Sequence, residues 1–138
     1  NLSSLTLFAG GIGIAPLRSM LREAYLRQLP MDVTLFYSNR YVEDAVYLEE
    51  LESLPKTWPR FKPVFTLTGE DNPSIWKGEL GRLNGPMLHR HISDFSQGEF
   101  FMCGPDNFMD GIKLLLEAEG VDVKKRLKKE LFGTHTPS

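Results

Sequence analysis

The sequence predicts a single α/β domain built on a mainly parallel sheet with helices on both faces. Short apolar runs of strand-forming residues alternate with segments of helical periodicity, and a glycine-rich turn joins the first such run directly to the first helical segment. A length of 138 residues, with 41% hydrophobic and 25% charged residues, suits one ordinary globular core. Strands that alternate with helices need crossover connections, and crossovers make neighbouring strands parallel.

Leu5-Thr-Leu-Phe-Ala9 is the first strand, closed by Gly10-Gly11-Ile12-Gly13. Ile14, Leu17, Leu21, Ala24 and Tyr25 then recur at three- and four-residue intervals, which predicts a helix over 14–28 with Pro16 in its first turn. Val33–Tyr37 is a second strand of buried type. The segment Glu43–Leu54 reads as a helix, on the stepping of Val46, Tyr47, Leu51 and Leu54. Phe61–Thr68 is a third strand, and Pro63 near its start suggests a sheet edge. Residues 69–83 hold Gly, Pro, Asp and Asn in a long loop, and Asn84–Ile92 is a short helix. Phe100–Cys103 is a fourth strand, Asp106–Glu119 a helix stopped by Gly120, and Val123–Phe132 a last strand.

A net charge of −2 argues against a nucleic-acid partner, which would call for a strong basic excess. No apolar run approaches the roughly 18 residues of a membrane span. The one cysteine, Cys103, has no second cysteine to pair with in the chain, and no Cys/His set has zinc-site spacing, so no metal is expected. A reducing, cytoplasmic setting follows. The chain opens on Asn-Leu-Ser-Ser with a strand already under way at Leu5, as expected of a piece of something longer.

Glycines between a strand and a helix let the backbone come close to a phosphate whose charge the helix N-terminal amides favour. The third glycine of GxGxxG is missing, because Ala15-Pro16 follows Ile14, and a tight turn that binds nothing stays open as a reading. Cys103-Gly104-Pro105 ends the fourth strand, where open parallel sheets bind their ligands. A buried cysteine is more often a small hydrophobe than a participant in chemistry, but beside Gly-Pro at a strand end the two readings of Cys103 stand about level.

These residues resemble the C-terminal pyridine-nucleotide-binding domain of the ferredoxin-NADP reductase-like flavoproteins, along nearly the whole chain. Gly10-Gly11-Ile12-Gly13-Ile14-Ala15-Pro16 is similar to that family's pyrophosphate turn. Phe36-Tyr37-Ser38-Asn39-Arg40 followed by Glu49-Glu50-Leu51 resembles its second strand and next helix. Gly78-Glu79, Gly81-Arg82-Leu83, Cys103-Gly104-Pro105 and Glu130-Leu131-Phe132-Gly133 resemble further motifs in the family's order.

The resemblance implies a three-layer, doubly wound, five-stranded parallel sheet in the order 3-2-1-4-5. It implies a domain over residues 1–138 that binds NADPH or NADH and presents the nicotinamide to FAD held by a barrel absent from these residues, in cis or as a partner subunit. Hydride then passes to the flavin, and electrons leave to an iron-sulfur protein, a haem or a ferric species. Residue by residue, Gly10, Gly11 and Gly13, in the turn with Ile12, Ile14 and Ala15, would pack against the pyrophosphate and Pro16 would start the helix. Cys103 of Cys103-Gly104-Pro105 would lie against the nicotinamide. Phe132 would cover the flavin or yield to the nicotinamide, with Glu130 beside it. Ala15 stands where many relatives carry Thr, which removes a hydroxyl there. A parent protein bound to a membrane would place the domain on its cytoplasmic face.

At the end of the second strand, Ser38-Asn39-Arg40 replaces the acidic residue that would repel a 2′-phosphate, which inclines the reading to NADPH, although a solvated Arg40 is nearly as good an account. A rival is a regulatory module that senses NAD(P)H without catalysis. Cys103 and Phe132 favour the reductase, since a sensor has no need of groups at the hydride position. The run Lys124, Lys125, Arg126, Lys128 and Lys129 would dock an acidic electron carrier or, more often, form a solvated face. His89 and His91 lack a third ligand, and Trp58 and Trp76 suit plugs at the edges of the core.

Overall fold

The computed structural model describes residues 4–129. β1 is Ser4–Gly10, whose residues 5–10 are all buried, as in a strand covered on both faces. A 3-10 turn, Gly11–Gly13, leads into α1, Ile14–Arg27, which buries Ile14, Leu17, Leu21 and Ala24 along one stripe. The helix ends where Gln28 turns left-handed at φ 50° and its N–H bonds back to the Ala24 and Tyr25 carbonyls. β2 is Asp32–Asn39, α2 Leu48–Ser53, β3 Phe61–Leu67 and β4 Glu79–Leu80. α3 is Gly85–His91, capped by the Asn84 side chain, which accepts from Met87 N. β5 is Glu99–Cys103, α4 Asp106–Ala118, α5 Val123–Arg126 and β6 Leu127–Lys129.

The sheet has six strands in the order β4-β3-β2-β1-β5-β6, and every pair is parallel. The five expected strands are present in the expected order, and β4 is the addition. It lies outside β3, so β3 is not the edge along its whole length. β4 reaches only Thr66 and Leu67, however, and leaves the outer side of Pro63 unpaired, where a residue without an N–H loses nothing.

Two other expectations are corrected. Residues 43–54 do not form one helix. A 3-10 turn at Val42–Asp44 is followed by Tyr47 at φ 66°, which the Arg18 guanidinium covers at 4.4 Å from the ring centre, and only then does α2 begin. A left-handed tyrosine interrupts the helical ladder whatever the apolar spacing. The last strand is shorter at its start than expected, because Val123–Arg126 coils so that Arg126 can turn inward. Its expected part beyond Lys129 lies outside the described residues.

Strand alternation divides the core in two. Leu5, Leu7, Ala9, Val33, Leu35 and Tyr37 face α1 and α2. Phe8, Phe36, Val64, Phe100 and Met102 face α3 and α4, with Phe8 stacked on Phe36 at 5.1 Å between centres. Trp58 is buried and stacks on Phe61 as the edge plug its position suggested.

Candidate functional site

The winding of the sheet reverses at β1. α1 carries the chain from β1 to β2 over one face, and α3 returns it from β3 toward β5 over the other, so the carboxyl ends of β1 and β5 border the switch-point crevice. Register places Gly10 beside Ser38 and Ala9 beside Cys103. The glycine turn, the end of β2 and Gly104-Pro105 thus meet at one edge, as their sequence positions predict.

The glycines there have different reasons to be glycine. Gly11 has φ 55°, and a Cβ on it would meet nothing within 4 Å among the described residues, so it alone presents open backbone to the crevice. A Cβ on Gly10 would lie 2.7 Å from the Phe108 ring, and one on Gly13 would press on the Cys103 carbonyl oxygen and sit 2.8 Å from Gly104 N. Gly104 is held likewise, with Phe108 and the Gly10 backbone against it. The turn is therefore shaped by close approach of β1, β5 and α4. The N-terminus of α1 has no side-chain cap and no acidic residue in its first turn, which keeps that end of the helix dipole available to an anion.

Of the other expected site residues, Ile12, Ala15, Ser38, Arg40 and Pro105 keep exposed or part-exposed surface, as does Pro16. Ile14 is buried under α1, leaving only its backbone at the turn. Asn39 is buried, with its side chain beside the Tyr37 hydroxyl on the α1 side, and so does not face the crevice. The Arg40 guanidinium lies over the Tyr41 ring at 5.7 Å. The Cys103 side chain is completely buried in the α1-side core. Glu130 and Phe132 lie outside the described residues.

Sequence reasoning missed a groove of about 430 Å³ that starts at this edge and runs beside α4. Ser38, Thr68 and Arg82 line it together with Leu83, Phe108 and Gly111. Phe108 belongs both to this groove and to the packing under Gly10, so turn and groove form one continuous surface. Nothing local in the sequence marks it, because its walls come from four separate segments.

The strongest electrostatic feature is centred on Glu79 of β4. The Arg90 guanidinium, first, and His91 bond the Glu79 carboxylate at 2.6–3.1 Å and hold its pKa down to about 2. A carboxyl depressed in the folded state contributes stability above its unfolded pKa near 4.5 that is lost as pH falls toward 2. Glu79→Gln is expected to lower stability at pH 7 by about 1–2 kcal/mol. Urea unfolding at pH 7 and at pH 3 checks this, since the gap to wild type must narrow at the lower pH. The basic run is partly spent inside the fold: Arg126 donates to the Phe95, Gln97 and Gly98 carbonyls, and Lys128 pairs with Glu99 at 3.4 Å. Among the described residues no His/Cys/Asp/Glu group has metal-site geometry, and no helix is long and apolar enough to cross a membrane.

A doubly wound parallel sheet with an uncapped helix and an open glycine at its switch point defines a dinucleotide-binding type of domain. The model of the oxidoreductase NAD-binding domain matches residues 7–113, and the chain belongs to that family. The glycine betaine monooxygenase reductase subunit of Pseudomonas aeruginosa is 33% identical over 129 residues, 94% of this chain and 35% of that protein. The xylene/toluene monooxygenase electron transfer component of Pseudomonas putida is 31% identical over 123 residues, 86% of this chain and 34% of that protein. The cytochrome b5 reductase domain of Ulva prolifera nitrate reductase superposes with a TM-score of 0.86 at 22% identity, over 94% of this chain and 50% of that one, and shares the fold. The chain thus spans about a third of the length of the two relatives it matches in sequence.

Proposed function

We propose that this chain is the pyridine-nucleotide-binding module of a flavin-dependent reductase, taking NADPH or NADH. The Gly10–Gly13 turn and the N-terminus of α1 receive the pyrophosphate, and the groove from Ser38 to Phe108 receives the adenosine half. That leaves the nicotinamide toward Gly104-Pro105. The observation that carries this reading is Gly11, left-handed and unobstructed at the switch point between Ser38 and Gly104. The residues fit the group: an uncapped helix end for the charge, hydroxyls of Ser38 and Thr68 for the ribose, and the Phe108 and Leu83 side chains for a flat heterocycle.

When bound, the nicotinamide would supply a hydride equivalent for an FAD held by a domain or subunit outside these residues. The chain's own part is to orient the nucleotide and to keep the crevice floor closed through the buried Cys103–Gly13 contact. The two sequence relatives, a monooxygenase reductase subunit and an electron transfer component, support a redox-protein acceptor such as an iron-sulfur protein, a haem protein or a ferric centre. A cytoplasmic location, or the cytoplasmic face of a membrane, suits such a component.

The test is calorimetric titration of the chain with NADPH and NADH, for wild type and for Gly11→Val. A valine at φ 55° is strained by about 1–2 kcal/mol and projects its branched side chain into the crevice. One-to-one binding by wild type, weakened about tenfold or more in the variant, is the expected result. Equal binding by both proteins would mean that the turn does not hold the nucleotide.

A further inference from the structure

Among the described residues the groove is lined by one positive charge, on a tightly held peptide. Gly81 adopts φ 93°, its N–H donates to the Leu67 carbonyl at 2.8 Å, and its carbonyl accepts from the Thr66 hydroxyl at 2.6 Å. Thr66 is 1% exposed, a polar side chain placed inside the core to fix that one carbonyl. Two residues earlier, Glu79 is tied through its side chain to Arg90 and His91, and through its carbonyl to the Trp76 indole N–H at 2.9 Å. These bonds hold the two-residue strand β4 in place. The residue after Gly81 is Arg82.

Arg82 is exposed and lines the groove with Ser38 and Thr68, and no other charged side chain does so among the described residues. No carboxylate of the described residues lies within ion-pair distance of it. Arg40, at the end of β2, is differently placed. Its guanidinium covers Tyr41 and is not on the groove wall, while its carbonyl is taken by Gly69 N and the Asn72 amide.

We propose that Arg82, with the Ser38 hydroxyl, pairs with a phosphate on the adenosine ribose, so that discrimination between phosphorylated and unphosphorylated nucleotide is made in the loop after β4 and not at Arg40. The inference rests on the reading that the groove holds the adenosine half. A guanidinium offers parallel N–H donors to phosphate oxygens, and the Ser38 hydroxyl can donate to one left over, while the Thr68 hydroxyl donates to the Asn39 carbonyl at 3.4 Å. A ribose 2′-hydroxyl gains nothing comparable from a cation. A groove whose only charge among the described residues is positive is suited to that difference.

The experiment titrates wild type, Arg82→Gln, Arg82→Lys and Arg40→Gln with NADPH, NADH and adenosine 2′-monophosphate, after thermal unfolding has shown each variant folded. Arg82→Gln is expected to weaken NADPH and adenosine 2′-monophosphate by about 10- to 100-fold and NADH by less than about threefold. Arg82→Lys falls between, and Arg40→Gln stays within about threefold of wild type for every ligand. Equal losses of NADPH and NADH at Arg82 would overturn the inference, as would a selective NADPH loss at Arg40. Wild type that binds NADH but neither phosphorylated ligand would also overturn it while leaving the nucleotide site intact. Wild type that binds no nucleotide would overturn the site reading itself and the inference with it.

Discussion

Gly13→Ala is expected to unfold at a urea concentration well below that of wild type and to lose nucleotide affinity by at least about tenfold, the larger of the two effects being on stability. The backbone at Gly13 is right-handed, φ −62° and ψ −8°, so alanine is conformationally welcome there and would gain up to about 1 kcal/mol from helix propensity. Against that gain stands the Cβ, which presses on the Cys103 carbonyl oxygen and comes within 2.8 Å of Gly104 N. Both are backbone atoms at the end of a central strand, and they can yield only if α1 moves away from β5. Overpacking of this kind costs about 1–3 kcal/mol, and more where backbone must shift, so the clash wins. Gly111→Ala is the matched control. Gly111 lies within α4 with nothing within 4 Å of its added Cβ, and that variant is expected to gain about 0.5–1 kcal/mol. A Gly13→Ala protein as stable as wild type would show that the α1–β5 contact is looser than described.

The second large effect is expected at Arg126. Its guanidinium bonds the Phe95, Gln97 and Gly98 carbonyls at 2.8–3.0 Å and lies 5.3 Å from the centre of the Phe100 ring. Arg126→Ala removes three charge-assisted bonds and leaves part-buried carbonyls without a donor, a loss of about 2–4 kcal/mol. Lys125→Ala, one residue earlier in the same basic run, should change stability by less than about 0.5 kcal/mol. Lysine at 126 should rescue little, since one ammonium cannot reproduce the planar fork that spans three carbonyls. Urea midpoints of the three variants decide it, and near-equal values for Arg126→Ala and Lys125→Ala would refute the structural role. Nucleotide affinity should be unaffected, because β6 borders the opposite side of β5 from the glycine turn.

The contrast between these arginine and lysine neighbours shows where the sequence was legible. Strands such as Leu5–Ala9 and helices such as 14–28 declare themselves because their periodicity is local and their burial follows from it. The glycine turn was legible for the same reason, as strand, glycines and helix are contiguous. What each glycine does was not, since Gly13 answers to Cys103 and Gly10 to Phe108, both far along the chain. β4 has two residues, too few for any period, and exists through bonds from Thr66 and Leu67. At the break, Tyr47 packs under Arg18, which no window over 43–54 contains. A basic run likewise cannot say which of its members turns inward. The groove beside α4 was illegible in full, being a juxtaposition of strand ends with a helix that tertiary structure alone creates.

Burial of Cys103 has a kinetic consequence. Its thiol is enclosed in the core beneath α1, and its own carbonyl is the surface on which Gly13 closes. A thiol reagent reaches that sulfur only when α1 separates from β5, so the alkylation half-life of the folded chain clocks this opening. As the chain has one cysteine, the signal has a single source. A ligand seated on the glycine turn would hold the same hinge shut and lengthen that half-life by a factor of one plus the ratio of free ligand concentration to Kd.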